Sequence, residues 1–164
     1  MPQSPTTVSI ARTSPEADDA RRILRAYYHD IVGRYHGREA TTAEVDSVLV
    51  EEPSDDLTPP GGLFWVVTDG AVAVGCAGLR LLSAGVGEVT RVFVAAAARR
   101  RGIGSLLLTE VETAARDRGL SRLRLDTRHD LVEARRLYNR HGYAEVEPFN
   151  DSPYAAHWFV KPLR

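Results

Sequence analysis

The sequence predicts an α+β domain: a mixed central sheet of about seven strands, about four helices on its two faces, and the order β-α-α-β-β-β-α-β-α-β-β. Three observations predict it. Helix-opening signatures at Ser14-Pro15, Thr41-x-x-Glu44 and Asp130-x-x-Glu133 stand ahead of helical patterns. Three β-rich runs between residues 63 and 94 are joined by short glycine turns. A long apolar helix pattern then links the third run to an alternating run at 121–127, and such a crossover lays 121–127 parallel to 88–94.

Each element has its own signal. "TTVSIA" (6–11) is a short first strand. Ser14 as cap and Pro15 in the first turn open a helix whose stripe is Ile23, Tyr27 and Ile31, with Gly33 and Gly37 ending it. The capping box at Thr41 and Glu44 opens a second, short helix carrying Val45, Val48 and Leu49. Residues 51–62, "EEPSDDLTPPGG", read as an acidic, proline-rich loop. Asp69-Gly70 between "LFWVVT" and "AVAVGCAGLRLL" marks a hairpin, and "GEVTRVFV" continues the meander. Ile103, Leu107, Val111 and Ala114 share one face of the helix over 102–118, which Gly119 stops. "SRLRLDT" (121–127) alternates as a strand should. The helix opened at Asp130 runs to about His141, with Gly142 as stop, and "YAEVEPF" and "AAHWFVK" are the last two strands. The expected domain is residues 6–162, with 1–5 as a disordered tail.

Composition narrows the function. In 164 residues, 43 % are hydrophobic and 26 % charged, the profile of one globular domain. A net charge of −1 argues against nucleic acid as a partner, which calls for a basic excess. Cys76 is the one cysteine and sits in an apolar run, so it reads as a packing thiol. The five histidines lack any metal-ligand spacing, so no metal is expected. The first twenty residues lack a long apolar core, and no run of 18 apolar residues exists. We therefore expect no signal peptide, no membrane contact and a cytoplasmic location.

One stretch carries the chemistry. "VFVAAAARRRGIGSLLLTEVE" (92–112) passes from a strand through three arginines and two glycines into a helix. A phosphate-binding loop, a nucleic-acid patch and an ordinary exposed turn all fit that pattern. The phosphate reading has a physical basis: the first turn of a helix has free N–H groups and partial positive charge. Gly102 and Gly104 let the backbone approach an anion, and nearby guanidiniums add charge-assisted hydrogen bonds. A dinucleotide fingerprint fails because position 107 is Leu, and no Gly-Lys-Ser/Thr is present.

Arg99-x-x-Gly102-x-Gly104, directly after "VFV", resembles the acetyl-CoA pyrophosphate loop of the GNAT acyltransferase superfamily. "EARRLYNRHGYAE" (133–145) resembles that family's second signature, and the element order agrees over nearly the whole chain. The alanines at 95–98 stand where many relatives have a proline. The resemblance implies acetyl-CoA as cosubstrate in a gap between strands 88–94 and 121–127. Backbone groups of Val92, Phe93 and Val94 would pair with the pantetheine arm. Backbone N–H groups of Arg99, Arg100, Arg101, Gly102, Ile103, Gly104 and Ser105 would hold the pyrophosphate. It further implies Glu88 as the base that frees an amine and Tyr138 as the donor that stabilises the leaving thiolate. Read as residues alone, Glu88 is equally a strand-end carboxylate or a partner of Arg91, and Tyr138 equally a packing residue.

The acceptor is expected to be a small primary amine, in a pocket formed by the N-terminal helices, the 51–62 loop and the last hairpin. Its polar candidates are Tyr28, Arg91, Asn150, Asp151 and His157, with Tyr27, His29 and Tyr154 beside them. A protein or peptide acceptor, and a non-catalytic acyl-CoA sensor, are the other readings. Free sheet edges allow a homodimer.

Overall fold

The computed structural model describes residues 8–164, so the expected tail at 1–5 and the first two residues of the first strand lie outside the described residues. The chain forms β1 (Val8–Arg12), α1 (Asp18–His36), α2 (Thr42–Glu51), β2 (Gly62–Asp69), β3 (Val72–Leu81) and β4 (Val86–Val94). A 3₁₀ turn (Ala96–Ala98), α3 (Ile103–Asp117), β5 (Arg122–Thr127), α4 (Val132–Arg140), β6 (Ala144–Val146) and β7 (His157–Pro162) follow. One seven-stranded sheet has the order β1-β2-β3-β4-β5-β7-β6. Among the described residues only β4 and β5 run parallel, as the crossover requires.

Both faces of the sheet are covered. Leu63, Trp65 and Val67 of β2 pack with Leu107, Leu108 and Val111 of α3 in the larger core. The alternate residues Phe64 and Val66 pack with Ile23 and Leu24 of α1 on the other face. That two-sided burial is why "LFWVV" reads as a continuous apolar run. Cys76 is fully buried among them, and burial pushes its thiol pKa up, which makes it a packing thiol. Among the described residues no helix is long and apolar enough to cross a membrane.

Three helix boundaries differ from expectation, each for a local reason. Ser14 does not cap α1: its Oγ accepts the N–H of Glu16 in a preceding turn, and the helix starts four residues on, with Asp18 and Asp19 complementing its dipole. Gly33 does not end α1, which runs on to His36 and stops at Gly37 in the left-handed region. A Cβ at Gly33 would sit 3.1 Å from the carbonyl oxygen of Arg38, so that glycine lets the returning chain lie against the helix. Asp130 does not cap α4: the Arg128 guanidinium takes its carboxylate, a charge-assisted pairing stronger than a cap. At α2 the capping box forms as read, with Thr41 and Glu44 bonding reciprocally.

Candidate active site

The site begins where two parallel strands part. β4 and β5 pair only at Val86–Arg122, Gly87–Leu123 and Glu88–Arg124. Beyond Glu88 the two strands diverge, and β4 continues to Val94 with its β5-facing edge free. On its other edge, the register with β3 slips by one residue between Cys76 and Gly78. This bulge puts Arg91 at φ 56, a left-handed conformation that costs a non-glycine residue about 1–3 kcal/mol. The Cys76 thiol donates to the Arg91 carbonyl at 3.1 Å, and the Arg91 guanidinium reaches Thr90, Ser54 and the carbonyls of Glu52 and Pro53. The bulge is thus pinned on both sides.

Below the splay runs a groove of about 440 Å³. Val92, Phe93 and Val94 form one wall, Arg136, Leu137 and Arg140 of α4 the other, and the start of α3 the floor. Arg100 (φ 66) and Gly102 (φ 76) turn the chain into α3, whose first internal bond runs from Leu106 N–H to the Gly102 carbonyl. The N–H groups of Ile103, Gly104 and Ser105 therefore have no intrahelical acceptor. Arg99 is anchored by its Nε on the Val94 carbonyl at 3.1 Å, with Asp30 and Glu133 at 3.9–4.0 Å. Arg100, Arg136 and Arg140 have no carboxylate within salt-bridge distance among the described residues. The side chain of Arg101 points elsewhere: it pairs with Asp69 at 2.9 Å. Gly104 has a second reason to be glycine, since a Cβ there would come within 2.9 Å of Leu137. The Ser105 hydroxyl bonds His141 Nε2 at 2.9 Å, and burial lowers the His141 pKa, favouring the neutral ring. A free strand edge, open helix N–H groups and unpaired guanidiniums form a donor set that fits an extended amide-bearing arm ending in phosphates.

The groove meets a second cavity of about 690 Å³ between α1, α2, the splayed strands and the β6–β7 connection. Tyr27, Ile31, Val92, Leu131 and Ala134 belong to both walls. Tyr138 lines the larger cavity near that junction, its ring 5.8 Å from Tyr143 and 5.9 Å from Phe159. Burial, then Tyr27 and Asp126 nearby, push the Tyr138 phenol pKa well up, so it stays protonated and can donate.

The predicted residues do not all gather here. Glu88 is held between two guanidiniums, Arg80 at 3.3 Å and Arg124 at 3.1 Å, its neighbours on β3 and β5; it does not pair with Arg91. Tyr28 is buried, with its hydroxyl 3.5 Å from the Glu52 carbonyl and Arg91 over its ring. Asn150 is a brace: its Nδ2 donates to Asp126 at 2.9 Å, while its Oδ1 accepts from Trp158 Nε1 and the Ser152 N–H. Asp151 is exposed and lines none of these cavities. His157 sits outside the cavity as well, bonded to Glu145 at 2.9 Å and 3.2 Å from His129. Asp126 is the residue sequence reasoning missed. It lies two residues beyond Arg124 on the same face of β5, past the point of splay, and lines the large cavity as well as the small one around Glu88. Strand parity was the available signal: Leu123 and Leu125 point to the core, so Asp126 points the other way.

Residues 18–143 match the family model described as the acetyltransferase (GNAT) family. An IAA acetyltransferase of Azospirillum brasilense is 34 % identical over 150 residues, 90 % of each chain. An uncharacterized N-acetyltransferase of Schizosaccharomyces pombe is 28 % identical over 93 % of this chain and 91 % of that protein. Among solved structures, a GNAT-family acetyltransferase of Staphylococcus aureus superposes with a TM-score of 0.78 at 19 % identity, covering 96 % of this chain and all of that one. A PaiA N-acetyltransferase of Thermoplasma acidophilum, solved with coenzyme A, gives 0.75 at 19 % identity over 95 % and 99 %.

Proposed function

The chain belongs to the acetyltransferase (GNAT) family, and we propose that it transfers the acetyl group of acetyl-CoA to a primary amine of a small molecule, with Asp126 as proton acceptor and Tyr138 as donor to the leaving sulfur. One observation carries the reading: the groove along the free edge of β4 opens, at Tyr27, Ile31 and Val92, into a separate walled cavity. A two-substrate transfer needs that arrangement, each substrate in its own space with the reacting atoms at the junction. The size of the second cavity suits a small molecule.

In the groove, the N–H and C=O groups of Val92–Val94 take the pantetheine amides. The N–H groups of Ile103–Ser105, with Arg100, Arg136 and Arg140, take the phosphates. Acetyl-CoA supplies the thioester there. An alkylamine is protonated at neutral pH, with a pKa of ~10 by analogy with lysine. Asp126 holds the ammonium and receives one proton; the neutral nitrogen then bonds to the carbonyl carbon. As the C–S bond breaks, the Tyr138 hydroxyl donates a hydrogen bond to the thiolate, the second amine proton is lost to solvent and the sulfur is reprotonated. The net products are an amide, CoA thiol and one proton.

Glu88 was expected in the basic role. Both of its oxygens are held by guanidiniums, one from Arg80 on β3 and one from Arg124 on β5. We assign it instead to bracing β3, β4 and β5 at the point of splay. Asp126 carries one amide hydrogen bond and no ion pair among the described residues. The test is amine-dependent thiol release from acetyl-CoA, by wild type, Asp126→Asn and Glu88→Gln. Loss of the amine-dependent rate in Asp126→Asn, with most of it kept in Glu88→Gln, is expected; the reverse order would return the role to Glu88. No amine-dependent release by wild type would end the small-amine reading.

A further inference from the structure

The larger cavity is lined very unevenly. The chain has six tyrosines, and five of them, Tyr27, Tyr28, Tyr35, Tyr138 and Tyr154, line this one space. Two stand at its mouth: Tyr35 is 62 % exposed and Tyr154 57 %. They come from distant segments, α1 and the β6–β7 connection, yet their rings meet edge to face at 5.8 Å. Large aromatic rings left in water at the rim of a cavity are a binding feature, because neither the core nor the surface requires them there. Deeper in, Tyr27 and Tyr28 meet edge to face at 4.9 Å.

The charges select the other end of the ligand. Arg128 is paired with Asp130, and Glu44 with Arg38 and His36. Among the remaining ionised groups lining the cavity, Glu51, Glu52 and Asp126 have no ion pair among the described residues, against Arg91 alone. A cation is therefore favoured over an anion. Two of the five rings already carry a cation on one side. Arg91 lies 5.6 Å over Tyr28, and Arg128 5.7 Å over Tyr35. A carboxylate is the stronger partner for an ammonium, and Asp126 is the one whose charge lies close to Tyr138.

We propose that the acceptor is an arylalkyl primary amine, its ring held by the tyrosines toward the mouth and its amino group on Asp126 a short alkyl chain away. This rests on the acetyltransferase reading above and adds the substrate class. The test compares 2-phenylethylamine with n-hexylamine, which has a similar length and the same amino group but no ring. Initial rates give kcat/KM for each, in wild type and in Tyr35→Ala/Tyr154→Ala, with acetyl-CoA affinity measured on both proteins by calorimetry. We expect kcat/KM about tenfold or more higher for the aryl amine in wild type, since an aromatic contact adds to simple burial. In the double variant that ratio should fall toward one while acetyl-CoA affinity holds, because neither tyrosine lines the groove. Equal kcat/KM values in wild type, a ratio that survives the double variant, or acetyl-CoA binding with turnover of neither amine would overturn the aryl assignment alone. Failure of wild type to bind acetyl-CoA would overturn the underlying reading and this assignment with it.

Discussion

The groove and the cavity share a wall but are built in opposite ways. The groove comes mostly from contiguous chain: β4, the Arg99–Ser105 turn and α3 follow one another, and α4 and one stretch of α1 (Tyr27, Asp30 and Ile31) join from elsewhere. Its recognition groups are mostly main-chain atoms, whose positions follow from strand, turn and helix geometry. The cavity draws side chains from α1, α2, β4, β5, α4 and the β6–β7 connection. Its specificity lies in which side chains meet after folding. A site of backbone atoms tolerates sequence change and keeps its ligand, while a site of assembled side chains changes its ligand readily. In the proposed function the first region accordingly takes the cosubstrate the family shares, and the second the acceptor.

That division can be broken experimentally. The largest expected effect is at Asp126. Asp126→Asn removes the proposed proton acceptor but keeps the shape and the Asn150 contact, so kcat should fall by about 10²–10⁴. Acetyl-CoA affinity, measured by calorimetry, should stay within about twofold of wild type. A parallel loss of affinity would mean that the two regions are not separable. Tyr138→Phe comes next: loss of one hydrogen bond to a developing thiolate should lower kcat about tenfold. Because burial pushes the Tyr138 phenol upward, the rate profile of wild type should show no fall between pH 7 and 9 that the variant lacks. Such a fall would make Tyr138 a titrating group.

Glu88→Gln tests the brace. It leaves Arg80 and Arg124 facing a neutral amide, which should lower stability by about 1–2 kcal/mol in denaturant melts and kcat only a few-fold. The smallest effect concerns His141. Burial lowers its pKa in the folded state, so the unfolded chain binds the extra proton more readily. Its contribution to stability is present above the unfolded value of about 6.5 and is lost as pH falls through the lower folded value. Thermal melts should decline more steeply below pH 6.5 for wild type than for His141→Gln, and identical slopes would remove His141 from the account.

How much of this was legible in the sequence follows the same division. The strand order and the parallel β4–β5 pair could be read because periodicity, capping and crossover rules are local. The turn at Arg99-x-x-Gly102-x-Gly104 could be read because it is a backbone feature, a left-handed glycine leading directly into α3. The boundaries of α1 and α4 could not. Ser14 and Asp130 are good caps in isolation, and each found a different partner, one in its own turn and one on the Arg128 guanidinium. The surroundings of Glu88 also depended on register, since Arg80 and Arg124 become its neighbours only through strand pairing. Asn150 and His157 looked like acceptor ligands because the segment 149–158 is rich in polar groups. One became a brace for Asp126 and the other bonded Glu145 outside the cavity.

The central claim is that the groove holds acetyl-CoA through open helix N–H groups and unpaired arginines. Isothermal titration of acetyl-CoA into wild type and Arg100→Glu/Arg136→Glu tests it most directly. Gly104→Glu is less suitable, because its side chain would also strike Leu137 and disturb the packing of α4. One-to-one binding by wild type, weakened at least about tenfold by the double charge reversal, is the predicted result. No binding by wild type, or equal affinity in both proteins, would contradict the account.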